Sequence, residues 1–212
     1  MSDKEKIIEE INLRGIEYFV HFTDVNNLPN ILKRGLLTRS TLDSSKLEYS
    51  YNDEVRADNV TKSLSLSISF PNYKMFYPIT KKYPERDYCV LFLNALTVIQ
   101  YDCAFNYTNA ASNNCRFIPI ENRKTYSSFI NMFQDNINGH NRSELGLMNY
   151  EPTDPQAEIL VLEDIPTSCI KFAFFKSSYK YQQYKEIFIN SSIKCWFNEG
   201  YFYARHDFQG WR

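Results

Sequence analysis

Ile16-Glu17-Tyr18-Phe19-Val20-His21-Phe22-Thr23-Asp24-Val25-Asn26-Asn27-Leu28-Pro29-Asn30-Ile31-Leu32-Lys33-Arg34-Gly35-Leu36 contains a strand, a cap and a short helix in immediate succession. Residues 16 to 23 alternate with the two-residue period of a β-strand. Ile16, Tyr18, Val20 and Phe22 share one face, and Glu17, Phe19, His21 and Thr23 the other. Asp24 and Asn26 are cap residues for a helix carrying Leu28, Ile31 and Leu32, and Gly35 suits the position just past its end. Upstream, Glu5 to Leu13 places Ile7, Ile8 and Ile11 at helical spacing, and Gly15 ends that helix.

Downstream, Leu36 to Asn59 is polar and irregular, of a length at which an unstructured connection points to function. Ser63 to Phe70 is the clearest strand. Leu64, Leu66, Ile68 and Phe70 point one way and Ser63, Ser65, Ser67 and Ser69 the other. The hydroxyl row is either a solvated sheet face or room for a ligand against the sheet. Tyr88 to Leu93 reads as a buried strand, and Lys124 to Ile137 as a helix with Tyr126, Phe129, Ile130 and Phe133 on one stripe. His140 to Gln156 is a loop that feeds a strand, Ala157 to Leu162. Cys169 to Phe175 follows as a strand and Ser178 to Ile189 as a helix. Trp196 to Phe202 reads as a hairpin turning at Asn198 to Gly200. With no steady βαβ rhythm, the pattern predicts an α+β fold, one domain over 1–212, with a largely antiparallel or split sheet and flanking helices.

The chain has 212 residues, of which 43% are hydrophobic and 23% charged, so a packed core is affordable and disorder is excluded as its main state. A net charge of -1 leaves no whole-body attraction to nucleic acid, only room for a local basic patch. The 5 cysteines are odd in number and form no CxxC pair, which speaks against a zinc knuckle or disulfide framework and for reduced thiols in a cytoplasmic protein. The amino terminus is charged where a signal peptide would be apolar, and no run approaches the ~18 apolar residues of a membrane span. Walker A, GxGxxG, HExxH and GxSxG motifs are missing. His21, His140 and His206 lie far apart, and no metal is expected.

A scattered set of polar residues remains. Read locally, His21 and Thr23 are a satisfied polar strand end beside the Asn26-Asn27 cap. Arg56 stands among acids in Asn52-Asp53-Glu54-Val55-Arg56-Ala57-Asp58, where a surface salt bridge is the local reading. Glu158 opens an otherwise apolar strand on the face of Leu160 and Leu162. It is either a carboxylate at a solvated strand mouth or one held in a cleft for a task.

Four separate segments, in order, resemble one family. They are His21-Phe22-Thr23 with Asn27-Leu28 and Gly35-Leu36; Ser67-Ile68-Ser69-Phe70-Pro71-Asn72-Tyr73-Lys74-Met75; Asp102-Cys103-Ala104-Phe105 with Asn109-Ala110-Ala111; and Pro155-Gln156-Ala157-Glu158-Ile159-Leu160-Val161. Between residues 16 and 176 the chain resembles the DarT family of DNA ADP-ribosyltransferase toxins. The resemblance implies a split sheet that clamps NAD and transfers its ADP-ribose to a base, thymidine, in single-stranded DNA within a short sequence context, blocking replication. It implies a DarG-like macrodomain antitoxin as partner; the lack of a long apolar run leads to the expectation of no membrane partner.

The same resemblance assigns residues. Glu158 matches the catalytic glutamate, and Arg56 the arginine that assists when thymine N3 loses its proton. Arginine is normally too basic to act as a base, so orientation and charge control come first for Arg56. His21, Thr23 and Asn27 match NAD-holding positions, with the Asn27 amide suited to the nicotinamide carboxamide. Met75 matches a methionine near the cofactor, although core filling is its local reading. Leu36 to Val55 corresponds to a loop over NAD, where Tyr49 and Tyr51 would stack or pack at the rim. Asn141, Arg142, Asn149 and Tyr150 fall in the acceptor-recognition loop. From Lys171 to Lys194 there are five Lys against one acid, Glu186, either a phosphate track or a solvated helix face. An RNA or protein ADP-ribosyltransferase, an NAD glycohydrolase and a non-catalytic single-strand-binding module are the competing readings.

Overall fold

A computed structural model describes residues 1–45, 49–50, 62–137 and 139–211. Helix α1 spans Asp3–Arg14. Its start is a capping box in which Ser2 Oγ accepts from the Glu5 amide at 3.3 Å and the Glu5 carboxylate accepts from the Ser2 amide at 2.6 Å. Gly15 closes it in the left-handed region. Strand β1 (Tyr18–Asp24) follows, and Asp24 Oδ1 accepts from the Asn26 amide at 2.8 Å to open a 3-10 turn. That turn runs into α2 (Leu28–Arg34).

Leu36 to Asn59, expected to be irregular, contains α3 (Arg39–Ser45). Thr38 and Asp164 start it: the Thr38 amide donates to Asp164 Oδ1 at 2.6 Å, and Thr38 Oγ1 accepts from the Thr41 amide at 3.4 Å. The first of these is a contact 126 residues long, which no local pattern reveals. Next come β2 (Leu64–Ile68), α4 (Tyr73–Lys82), β3 (Tyr88–Asn94), α5 (Ala95–Val98), β4 (Cys103–Asn106) and α6 (Asn113–Arg116). Helix α7 covers Tyr126–Asn131, shorter than the expected 124–137. The carbonyl of Met132, orphaned past its end, accepts from the Thr153 amide at 2.9 Å, so a distant loop terminates the helix. Strand β5 (Glu158–Val161), β6 (Ile170–Phe175), α8 (Ser178–Tyr184) and β7 (Lys194–Phe197) complete the order.

The described strands form one mixed sheet in the order β4-β5-β2-β1-β3-β6-β7, antiparallel except for the β6–β7 pair. The expected α+β class with flanking helices is what the chain adopts. The expected hairpin at 196–202 does not form. Strand β7 instead lies parallel to β6 after the α8 crossover, and Asn198 Oδ1 takes the Gly200 amide at 3.0 Å into a 3-10 turn. That turn buries Phe202 against Phe76, with ring centroids 5.5 Å apart. Burial of an aromatic ring outweighs the local turn preference of Asn-Glu-Gly.

Strand β1 runs along β3 for its whole length, from Tyr18↔Asn94 to Asp24↔Tyr88. Against β2 it pairs only at Phe19↔Ile68 and Val20↔Ser67. Beyond that point β2 leans toward β5, pairing Leu64↔Val161 to Leu66↔Ile159. The sheet therefore opens between His21–Thr23 and Ser63–Ser65. Below the opening Phe19, Leu66, Leu91 and Ile159 pack with Ile7 and Ile11 of α1 and with Phe129 of α7, while Val20, Val90 and Phe92 pack on the opposite face.

Gly35 marks a close approach. Leu36 exchanges two backbone hydrogen bonds of 2.8 Å with Ile165, and Gly35 has φ +87°. A Cβ there would overlap the Ile165 carbonyl. Gly35→Ala is predicted to cost at least about 2 kcal/mol, read as a lowered urea midpoint with unchanged slope.

Candidate active site

The opening between the sheet halves is a cleft. His21 and Thr23 reach it from β1, Asn27 from the following turn, Ser63 from just before β2, Ser65 and Ser67 from β2, Met75 from α4, and Glu158 from the start of β5. Arg39, Leu42, Tyr49 and Ser50 line the side next to α3, and Asn109 and Ala111 the side next to Glu158. The serine row is thus the floor of a cleft and not a solvated face. Arg56 and Tyr51 lie outside the described residues.

His21 sits where the β1–β2 ladder stops. Its Nδ1 donates to the Ser65 carbonyl at 3.1 Å, so the ring takes the place of a backbone partner. Thr23 is buried and receives the Asn27 amide on Oγ1 at 3.0 Å. The Asn27 side chain also brackets Ser50, donating to its carbonyl at 2.9 Å and accepting from its amide at 2.8 Å. Asn27 therefore acts as a clip that holds segment 49–50 along the cleft rim. Sequence reasoning gave that amide to nicotinamide; here it is engaged by Ser50 and Thr23. Tyr49, one residue earlier, donates to Asp43 Oδ1 at 2.7 Å and so ties the rim to α3.

Glu158 is half-buried, and its Oε2 accepts from the Ala110 amide at 3.0 Å. Behind it lies a strut of polar residues. Asn106 pairs with Glu158 across β4–β5 and donates its side-chain amide to the Glu158 carbonyl at 3.2 Å. Arg123 Nη1 donates to Asn106 Oδ1 at 2.9 Å, and both residues are buried. Burial raises the Cys115 thiol, and the charges of Arg123 and Glu158 act on it in opposite senses, consistent with a shared neighbourhood. Asn106 and Arg123 were not singled out from the sequence. Their signal is a polar pair inside apolar surroundings that becomes visible only once β4 is paired with β5.

The four loop candidates divide. Asn149 and Tyr150 are exposed at the tip, where the Asn149 carbonyl accepts from Arg14 at 3.3 Å and the Tyr150 carbonyl from Ser69 Oγ at 3.3 Å. Asn141 is tied to Glu144 at 3.2 Å. Arg142 turns inward, donating to the carbonyls of Glu151 and Met148 at 2.7 Å each and to Thr153 Oγ1 at 3.1 Å. Burial, with Arg14 nearby, lowers its pKa. Arg142 is a strut of the loop, and the structure does not bring it to the surface with Asn149 and Tyr150. Of the lysines from 171 to 194, Lys180 pairs with Asp87 at 2.6 Å, and Lys171 donates to the Ser168 carbonyl. Among the described residues no cluster of His, Cys, Asp or Glu is arranged to hold a metal, and no helix is long and apolar enough to cross a membrane.

A family model described as DarT, ssDNA thymidine ADP-ribosyltransferase, matches residues 20–203. The chain belongs to the DarT family. Solved DarT structures share its fold. The Thermus sp. 2.9 DarT in complex with NAD+ aligns with a TM-score of 0.57 and 14% identity over 88% of this chain and 98% of that one. The same protein in complex with ADP-ribosylated ssDNA gives 0.61 and 15% over 89% and 97%. The Thermosipho africanus DarTG in complex with ADP-ribose gives 0.62 and 14% over 88% of this chain. This chain spans about half of the DarTG chain, 51%. No curated protein sequence matches it. At such identities the solved structures speak for the fold, while the family match rests on the sequence model.

Two outcomes are expected from the site geometry. Saturating NAD raises the melting temperature of the wild-type protein, by about 2.7 kcal/mol of linkage at 100 times Kd, and His21→Ala shrinks that shift. Asn106→Ala leaves Arg123 and the Glu158 carbonyl without their shared partner. It should lower stability by about 1–3 kcal/mol in chemical denaturation.

Proposed function

We propose that this chain transfers ADP-ribose from NAD to thymidine in single-stranded DNA, with Glu158 as the catalytic carboxylate. The supporting observation is the convergence of His21, Thr23, Ser63, Ser65, Ser67 and Glu158 on one cleft inside the stretch matched by the DarT model. The bond from ribose C1′ to the nicotinamide nitrogen breaks, and that electron pair leaves with nicotinamide. Positive charge grows on the ribose. A carboxylate held by a backbone amide, as Glu158 is by Ala110, suits that charge and the ribose hydroxyls. A bond then forms from C1′ to the acceptor nitrogen, thymine N3, as the N3–H bond breaks and its proton passes to solvent. Arg56 is assigned to orient the acceptor and balance charge at this step.

The donor fits the cleft chemically. Arg39 supplies a cation suited to a diphosphate, the hydroxyls of Ser63, Ser65 and Ser67 suit sugar oxygens, and Met75 and Leu42 offer apolar contact for a ring. The exposed tip at Asn149 and Tyr150 offers an amide and a stacking face to a base that has left the strand. A macrodomain antitoxin of the DarG kind is the proposed partner, supported by the likeness to DarTG. The described cysteines are all free, which supports a reducing, cytoplasmic setting.

Mass measurement of short oligonucleotides after incubation with NAD tests the reaction. One added ADP-ribose on thymidine-containing strands is the expected result, whereas free nicotinamide with unmodified DNA would point to a glycohydrolase. Glu158→Gln keeps shape but removes charge. It should still bind NAD and should slow DNA modification roughly 100- to 1000-fold. Wild-type rates in that variant would sink the mechanism. Asn149→Ala and Tyr150→Ala should change which oligonucleotides react while leaving the NAD-induced melting shift in place.

A further inference from the structure

We propose that the C-terminal segment Arg205–Trp211 is a specificity-determining clamp, which fixes the acceptor loop against the wall of the nucleotide cleft and so sets which DNA strands react. This rests on the acceptor-loop reading above. The segment lies beyond the residues that the family model matches.

Arg205 is 2% exposed. Its guanidinium donates to the carbonyls of Pro152 at 3.0 Å and Thr153 at 3.3 Å, and grips Asp207 through both carboxylate oxygens at 2.7 and 2.6 Å. Burial alone would raise the Asp207 carboxyl, but Arg205 holds it below its ordinary range. Asp207 Oδ2 also accepts from Trp211 Nε1 at 2.9 Å. His206 Nε2 donates to the Glu151 carboxylate at 2.9 Å, and that carboxylate accepts from the Met148 amide at 2.9 Å. The segment thus bonds residues 151–153 directly and reaches Met148 through the Glu151 carboxylate, across the turn that exposes Asn149 and Tyr150.

Its other side reaches α4. The Trp211 ring lies 4.1 Å from that of His140 and 4.6 Å from Lys74 Nζ. Lys74 precedes Met75, which lines the cleft. Tyr73, on the same turn, is buried. Burial first and the Asp207 charge second push its hydroxyl up to about 12.

The Arg205 contacts to the loop are with main-chain carbonyls, so what it fixes is the path of the chain and not a particular side chain. The planar fork makes four hydrogen bonds at once, two to carbonyls and two to one carboxylate, whereas a lysine has three donors and no bidentate geometry. A buried ion pair adds little net stability over apolar residues of equal volume, so geometry is the better reason for its presence. The loop enters Glu158 five residues after Thr153, and small displacements of a positioned group lower rates steeply.

The test is a kinetic comparison of full-length wild type, Arg205→Lys and Trp211→Ala over a panel of oligonucleotides at saturating NAD. Arg205→Lys should keep the NAD-induced melting shift, raise KM for the preferred acceptor by about 10- to 100-fold and flatten the preference among strands. Trp211→Ala, which leaves the buried pair in place, should move both in the same direction by less, and it decides the matter if Arg205→Lys does not fold. Unchanged KM and preference in folded variants would overturn the clamp, as would a parallel loss of NAD binding. Tyr150→Ala in the same panel separates the two readings. If it alters preference while the clamp variants do not, the clamp alone fails. If it alters nothing, the acceptor-loop reading fails and the clamp with it.

Discussion

Strands β1 and β2 are bonded over two residue pairs and then part, and the site depends on that short ladder. A longer ladder would close the cleft, because neighbouring strands stand only about 5 Å apart. A shorter one would leave β2 attached to β5 alone. Beyond the last pair, the Ser65 carbonyl still needs a donor in a half-buried place, and His21 supplies it. One residue thereby satisfies the backbone of one sheet half while itself lining the cleft. The serine row is the complement of this arrangement. Larger side chains at Ser63, Ser65 and Ser67 would fill the space that the divergence opens.

Polar struts hold the functional segments from behind. Arg123 and Asn106 support the main chain at Glu158, Asn27 clips segment 49–50 to Thr23, and Asp164 anchors the start of α3. Arg142, which precedes residues 148–153 in the chain, and Arg205, which follows them, converge on that stretch. Each strut ends on a backbone amide or carbonyl. Irregular chain cannot satisfy its own peptide groups, so a cleft built from loops needs side chains to do so. The apolar core cannot perform this task because dispersion contacts have no direction. Hydrogen bonds to fixed backbone atoms do, and they hold a loop in one conformation where apolar burial would accept several.

Regular alternation and capping made β1, β2, β3 and α1 legible from the chain alone, because those signals come from neighbours within a few residues. The α+β class, the serine face and the placing of Glu158 at a strand start followed from the same local rules. The family match rests on short segments kept in order, which is also a property of the chain. Tertiary structure decided what depends on distant partners. Thr153 shortened α7 by taking the Met132 carbonyl, and Phe202 drew residues 199–202 into the core in place of a hairpin. Asn27 lines the cleft, but that its side chain also bonds Ser50 and Thr23, and that Arg142 bonds residues 148–153, depends on partners the local pattern does not show. Composition and periodicity fix which side chains point together along one element. They carry no information about which backbone groups elsewhere lack a partner, and those unmet groups determine where a buried polar side chain goes.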